Sequence, residues 1–384
     1  MPGPPGVPGA RPGARGSDAA GRGGAAADPR AGGRERVAGL LRRQAGWCED
    51  YGSSLSALLL RAAADDVAAG GPAWGVLEAY ADEPGGAALA LRFLGGVHRL
   101  ALTRRAPRLA LHLPSVGGTA GPDGAGHALM ATVAEHADEL RELTARPCQT
   151  NEVGRCAALL VGFLAVADET GLPLRLLEIG ASAGLNLRWD RYGYRQPDLG
   201  WSWGRQDAPL VLSGHWTAPP RPEPAEVAVV ERAGCDPRPL DPTSPEGRLT
   251  LTSFVWPDQP ERLARLRGAL AMAAGTPAAV DAEGLATWLP ARLAEPRTGV
   301  ATVVYSSAVA PYLSAAERTA EAAALATAGA GAGGAAPLYR LRFEHDADIG
   351  AFALDLWRWP GGEVRRLATA NGHGAGVAAS SLRA

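Results

Sequence analysis

The run LRLLEI at residues 174–179, followed by GASAG at 180–184, constrains this chain more than any other feature. A short, near-continuously apolar stretch is the pattern of a strand buried on both faces of a parallel sheet. Glycines at 180 and 184 supply backbone freedom where such a strand must turn. A helix is predicted just before it, with Thr150 or Asn151 as N-cap and Glu152 in the first turn, where the helix dipole favours an acid. Val153, Cys156, Ala157, Leu160 and Leu164 mark its buried face, and Gly171-Leu172-Pro173 stops it. Leu185-Asn186-Leu187-Arg188-Trp189 reads as the start of the next helix. Helix, strand, glycine turn and helix together are the unit of an open α/β sheet.

Downstream the alternation persists. Residues 191–224, rich in Pro and carrying Trp201, Trp203 and Trp216, read as an insertion forming a partly ordered lid or loop. Residues 227–230 start a second strand that runs to Asp236, and RLTLTSFVW (248–256) has the alternation of a β run. Residues 258–274 are amphipathic, 278–280 lead into Asp281, and 285–293 form a short helix. A strand follows at 300–304 and a helix at 314–328. LYRLRFEHD then precedes a hairpin, FALDLWRW and VRRLATAN, turned by Pro360-Gly361-Gly362-Glu363. The expected fold over 146–384 is therefore α/β: a doubly wound, mostly parallel, Rossmann-like sheet ending in an antiparallel hairpin. Residues 37–145 show apolar returns at three and four residues and no parallel-strand pattern, so they are expected to form a helical N-terminal domain. Residues 1–36 carry one sizeable apolar side chain, Val7, and are expected to be a disordered tail.

Hydrophobic content of 46% with 20% charged residues is that of a globular chain. A net charge of −2 gives no general attraction to nucleic acid, so none is expected as a partner. All 38 basic residues are arginine, a coding bias that lowers the weight of any isolated Gly or Pro. The four cysteines form no C-x-x-C pair and no two histidines stand at metal-ligand spacing, which argues against a metal site and fits a reducing compartment. No run of about 20 apolar residues is present, so no membrane association is expected, and the N-terminus lacks a signal-type apolar run. The expected location is cytoplasmic.

Two chemistries compete for the glycine turn. Residues 180–184 spell G-x-S-x-G, in which Ser182 would be a nucleophile with Asp281 or Asp346 as acid and His345 or His373 as base. Against this serine-hydrolase reading, the region before the turn is helical rather than stranded, and a charged Glu178 ends the strand. Read as E-x-G-x-S-x-G, the same residues form a cofactor loop. Gly180 and Gly184 let backbone approach a ligand, Ser182 replaces a third glycine, and the following helix offers N–H groups to a carboxylate. Asp236, ending the second strand, suits ribose hydroxyls, and Asp281, after the third, suits an adenine amino group. The spacing from Gly184 to Asp236 exceeds the usual ~20 residues, and the insertion at 191–224 accounts for it. Arg155 is either a carboxylate clamp or part of a structural ion pair beside Gln149, Asn151 and Glu152.

The loop and the terminal hairpin resemble those of class I methyltransferases, which hold S-adenosylmethionine. That resemblance implies a cofactor set of Glu178, Gly180, Ser182, Gly184, Asn186, Asp236, Asp281 and Arg155, with the helical domain shaping the acceptor site. Ser306, Ser307 and Tyr312 lie beyond a central strand, where open α/β sheets bind ligands, and are candidate substrate contacts. Asp258 in WPDQ is either a helix N-cap or part of a substrate loop. Asp190, Asp258 and His373 are each candidate bases for taking a proton from the acceptor. The runs NEVGRCAALL, LRLLEIGASAGLNLRWDRYGY, GCDPRPLD, FVWPDQPERLARL, VVYSSAVAPYLS and WPGGEVRRLA…NGHG also resemble an uncharacterised bacterial family, domain of unknown function 2332, over roughly residues 37–375. It implies a methyltransferase-like fold with the reaction open. The expected activity is methyl transfer to a small-molecule acceptor; the alternatives are hydrolysis at Ser182 and cofactor binding without catalysis.

Overall fold

A computed structural model describes residues 29–83, 88–221 and 226–380. Two apolar periodicities build three cores, one among the N-terminal helices and one on each face of the main sheet. In the first part of the chain one stripe is buried on each of α1 (Pro29–Asp50), α2 (Ser54–Ala69), α3 (Pro72–Leu77), α4 (Leu89–Leu102), α5 (Pro107–Ala110), α6 (Ala125–Glu135) and α7 (Ala137–Thr144). Leu41, Leu59, Leu60, Phe93 and Leu129 meet at its centre, each at most 1% exposed. Burying each such side chain is worth about 1.5–3 kcal/mol, which offsets the ordering of the helices. Of the expected tail, residues 1–28 lie outside the described residues. Residues 29–36 are helical, so α1 starts earlier than expected. Gly33 packs so tightly on Trp74 that a Cβ would lie 3.2 Å from its ring, and Arg36 pairs with Asp82.

The second part begins with α8 (Cys156–Thr170) and β1 (Leu174–Ile179) and continues through β2 (Gly193–Gln196), β3 (Trp201–Gly204), β4 (Val211–Ser213) and β5 (Val229–Cys235). Then come α9 (Pro245–Ser253), α10 (Pro260–Ala273), β6 (Ala279–Asp281), α11 (Leu285–Leu293), β7 (Ala301–Ser307) and α12 (Ala315–Ala330). The chain closes with β8 (Leu338–Asp346), β9 (Ala351–Trp359), β10 (Glu363–Ala370) and β11 (Ala378–Ala379). The main sheet has the order β11-β10-β9-β8-β7-β1-β5-β6. β6, β5, β1, β7 and β8 are parallel, and β9, β10 and β11 extend the edge antiparallel.

Alternation along β1 sends its side chains to two layers. Leu174 and Leu176 join the core under α8 and α10; Leu177 and Ile179 join the one under α11 and α12. Glu178 therefore points into the α8 layer, which is unusually aromatic: Phe163 stacks on Trp189 at 4.6 Å and meets Tyr305 edge-on at 5.2 Å. α8 lies very close to the sheet because Gly162 has no side chain; a Cβ there would sit 2.4 Å from Leu341.

Three expectations need correction. The segment after the glycine turn is a short 3-10 turn, Asn186–Arg191, rather than an α-helix. RLTLTSFVW is mostly helical: Ser244 caps α9 by accepting from the Gly247 amide, Pro245 occupies its first turn, and Leu251 and Ser253 face inward. The insertion is not a loose lid in its described part. β3, β2 and β4 form a small sheet, and Trp201, Trp203 and Trp216 are buried in the core with Tyr192 and Tyr194.

Candidate functional site

β1 lies between β5 and β7, the place where successive strands are laid down on opposite sides of the first. Such a switch point opens a crevice beyond the carboxyl ends of the strands. Here the crevice is a cleft of about 260 Å³, room for one small molecule. Its walls come from the 147–155 segment before α8, the glycine turn, residues 235–238 after β5, 283–285 after β6 and 307–317 after β7. No described residue of the helical part, 29–145, lines it.

The glycine turn alternates in and out of left-handed backbone, with φ of +68° at Gly180, +54° at Ser182 and +65° at Gly184. At Gly180 the constraint is also steric, since a Cβ would lie 2.7 Å from Val309. The turn's amides are largely spoken for. Gly180 and Ala181 donate to the Cys235 carbonyl at 2.9 and 3.0 Å, Ser182 N to Asp236 at 3.0 Å, and Leu185 N to Asn151 at 2.9 Å. With no α-helix behind it and these donors occupied, the turn is not the free anion cradle that the sequence suggested. Gln149 straps it from above: it accepts from the Ser182 hydroxyl and donates to the Arg238 carbonyl at 3.0 Å.

Six of the expected cofactor residues share this cleft: Arg155, Glu178, Gly180, Ser182, Asn186 and Asp236. Asp236, just past β5, takes the Ser182 amide on one oxygen and the Arg238 amide, at 2.8 Å, on the other. Its charge is held by neutral groups. Arg155 is held the same way, donating from Nε to the Gly372 carbonyl at 3.0 Å and from Nη1 to the Ser307 carbonyl at 3.1 Å. Nη2 is the nitrogen these bonds leave over, and a guanidinium stays charged. Glu178 is 1% exposed and accepts from the Tyr305 hydroxyl at 3.0 Å, its neighbour across the β1–β7 register. Burial pushes its carboxyl up to about 8, against the hydrogen bond from Tyr305, the charges of Arg188 and Arg155, and a bond from Asn186. Asn186 also accepts from the Cys156 thiol at 3.2 Å.

The other candidates separate. Gly184 faces away, its carbonyl accepting from Arg188 at 2.6 Å. Asp281 does not line the cleft; bonds from Arg292 at 2.6 Å and Trp288 at 2.7 Å hold its carboxyl below the usual range. Glu283, two residues on, does line it. Ser306 is buried within β7, accepting from Arg340 at 2.7 Å, whereas Ser307 and Tyr312 reach the cleft. Asp258 is a remote N-cap: it accepts from the Leu55 amide at 2.9 Å and the Ser56 and Ser53 hydroxyls, closing the start of α2. Asp190 is paired with Arg232 and Arg191. His373 packs on Tyr51 at 4.5 Å and is pushed down to about 3 by burial, with the charges of Arg262 and Arg155 adding to the effect.

None of the seven histidines lines the cleft, so Ser182, whose hydroxyl is given to Gln149, has no histidine base beside it. The first described strand is β1, leaving no earlier strands of the kind a nucleophile elbow requires. The cleft thiols Cys148 and Cys235 are pushed up by burial to about 11 and 12, so neither is a thiolate at neutral pH. No cluster of metal-ligating side chains occurs among the described residues, and no described helix is long and apolar enough to cross a membrane. Gln149, Arg238 and Glu283 also line the cleft, and none of them was among the expected site residues. The signal for Gln149 was its place in a polar cluster denser than a helix start requires.

Residues 38–378 match the model of a family described as an uncharacterized protein conserved in bacteria, domain of unknown function 2332. The chain belongs to that family. No curated protein and no solved structure matches it. Nearly all of the described chain, helical part included, falls within the family's span, so all three cores belong to the domain 2332 unit.

Proposed function

We propose that the cleft binds S-adenosylmethionine and that the protein transfers its methyl group to a small-molecule acceptor. The observation carrying this reading is the donor set. One uncommitted guanidinium nitrogen, a buried carboxyl and a carboxylate held by amides converge around a glycine turn at the switch point. These match the three polar parts of that cofactor: a carboxylate for Arg155, an ammonium and sulfonium for Glu178, and a ribose diol for Asp236. The five parallel strands, in the chain order third-second-first-fourth-fifth, support a Rossmann-like, methyltransferase-type sheet. The carboxylate falls to Arg155 because the turn's own amides are occupied.

When bound, the cofactor supplies an electrophilic methyl on sulfur. The chain's part is positioning. Arg155 and Asp236 fix the two ends of the ligand, and the apolar wall of Ile179, Val309 and Leu313 sheds water from between them. Glu178, protonated when the cleft is empty at neutral pH, gives up that proton when a cation lies beside it. Calorimetry with S-adenosylmethionine or S-adenosylhomocysteine tests the reading: a folded sample is expected to bind with one site per chain, and no heat at millimolar ligand contradicts it. Binding without turnover across a broad acceptor panel would favour a non-catalytic member of the fold.

A further inference from the structure

The helical part of the chain contributes no described residue to the cleft, yet it is tied to the cleft through one short chain of contacts. Tyr51, just past the end of α1, accepts the Gly372 amide on its hydroxyl at 2.9 Å. The Gly372 carbonyl in turn accepts from Arg155 Nε. The segment between, Asn371–Val377, is built to stay in place. Asn371 Oδ1 accepts from the His373 and Ala375 amides at 3.0 and 2.9 Å, and the Asn371 amide donates to the Ala375 carbonyl at 2.9 Å. The ring of His373 is clasped by Tyr51 and, at 5.3 Å, by Trp256.

The segment also crosses the start of α8 at van der Waals limit. A Cβ on Gly374 would lie 2.1 Å from the Gly154 carbonyl, and one on Gly154 would lie 2.4 Å from the His373 carbonyl. Gly372 is wedged between Phe352 and Tyr51, at 2.8 and 2.9 Å from where its Cβ would be. Glycine stands at each point where backbone meets backbone, so the loop cannot drift without moving the residue after Gly154, which is Arg155.

We infer that Tyr51 and the Asn371–Val377 loop are positioning elements through which the helical region sets Arg155, and with it the affinity of the cleft for the carboxylate end of its ligand. This rests on the cofactor reading and adds to it a role for the helical region and for the NGHG motif. His373 belongs to this brace and does not act as a base.

The test uses the full chain and two probes. S-adenosylhomocysteine carries the amino-acid end; 5′-methylthioadenosine lacks it. Tyr51→Phe keeps the packing and removes the acceptor of a partly buried amide. It should weaken S-adenosylhomocysteine binding about tenfold while 5′-methylthioadenosine stays within about twofold. In an Arg155→Gln background the same change should add nothing, since the two act through one contact. Asn371→Ala, at an exposed position, should repeat the ligand-selective loss if Tyr51→Phe folds poorly. Equal loss for both ligands, no loss for either, or additivity with Arg155→Gln overturns the inference while leaving the cofactor reading standing. A folded wild type that binds neither probe overturns both.

Discussion

The cleft and the seam beneath the helical region use the same residue types in opposite ways. At the seam Arg262 donates to Glu152 at 2.5 Å and lies over Trp256 at 5.1 Å, so the two charges cancel each other inside the protein. Burial works to raise the Glu152 carboxyl, but Arg262, His373, Arg265 and the Gly154 amide together hold it well below the usual range. At the cleft Arg155 is fixed by two carbonyls and Asp236 by two amides, partners that set position without cancelling charge. Asp281 and Arg292 repeat the seam's arrangement at the end of β6. At the seam the counter-ion makes each charge structural, whereas under the proposed function the backbone partners of Arg155 and Asp236 leave those two charges for a ligand.

The largest test of that contrast is on stability. Glu152→Ala leaves Arg262 buried and unpaired, and should cost about 3–5 kcal/mol in a denaturant titration. Arg155→Gln, which removes a guanidinium held by two carbonyls and by no ion pair, should cost less, about 1–2 kcal/mol. A similar loss at both sites would break the distinction. On binding the order reverses. Asp236→Asn should weaken S-adenosylhomocysteine roughly 10- to 100-fold by calorimetry, as expected for a charge-assisted hydrogen bond, while Asp281→Asn changes it less than about twofold.

Glu178 sharpens the comparison further, because its carboxyl is held by a side chain, the Tyr305 hydroxyl, rather than by backbone amides. Its folded value of about 8 lies above the ordinary 4.5, so the folded chain keeps a proton there that the unfolded chain releases. The stability this group contributes is full at pH below 4.5 and declines as pH rises toward 8. A cationic ligand prefers the ionised form. Affinity for S-adenosylmethionine should therefore climb up to about tenfold per pH unit below 8, level off above it, and lose the slope in Glu178→Gln. A flat profile in the wild type would separate Glu178 from the ligand. The smallest effect belongs to Ser182. Ser182→Ala should reduce affinity only about 2- to 5-fold by loosening Gln149, and a fluorophosphonate probe should label neither form.

How far the sequence could be read follows the range of the forces involved. β1, α11 and the terminal hairpin are local patterns, and their expected bounds and the observed ones agree closely, as with Leu285–Leu293. RLTLTSFVW failed because two physical cues overlap: its Leu and Thr alternation resembles a strand, while Ser244-Pro245 just before it starts a helix. The insertion was misread because its tryptophans are buried partly by partners distant in sequence, as Trp216 is where it donates to the α8 carbonyl of Ala157. At the cleft, Glu178 and Asp236 were legible as acids at strand ends. Whether each acid stays with a ligand depends on what else reaches it. Asp281 is claimed by Arg292, 11 residues on in α11, and Asp258 by a helix start some 200 residues earlier in the chain. Gln149 had no motif at all, since its role exists only once Ser182, Asp236 and Arg238 are folded beneath it.

A crystal structure of the protein with S-adenosylhomocysteine tests the central claim most directly. The account predicts one ligand between the glycine turn and residues 307–313, its carboxylate on Arg155 and its ribose diol on Asp236. A ligand seated elsewhere, or one in the cleft with its carboxylate away from Arg155, would contradict it.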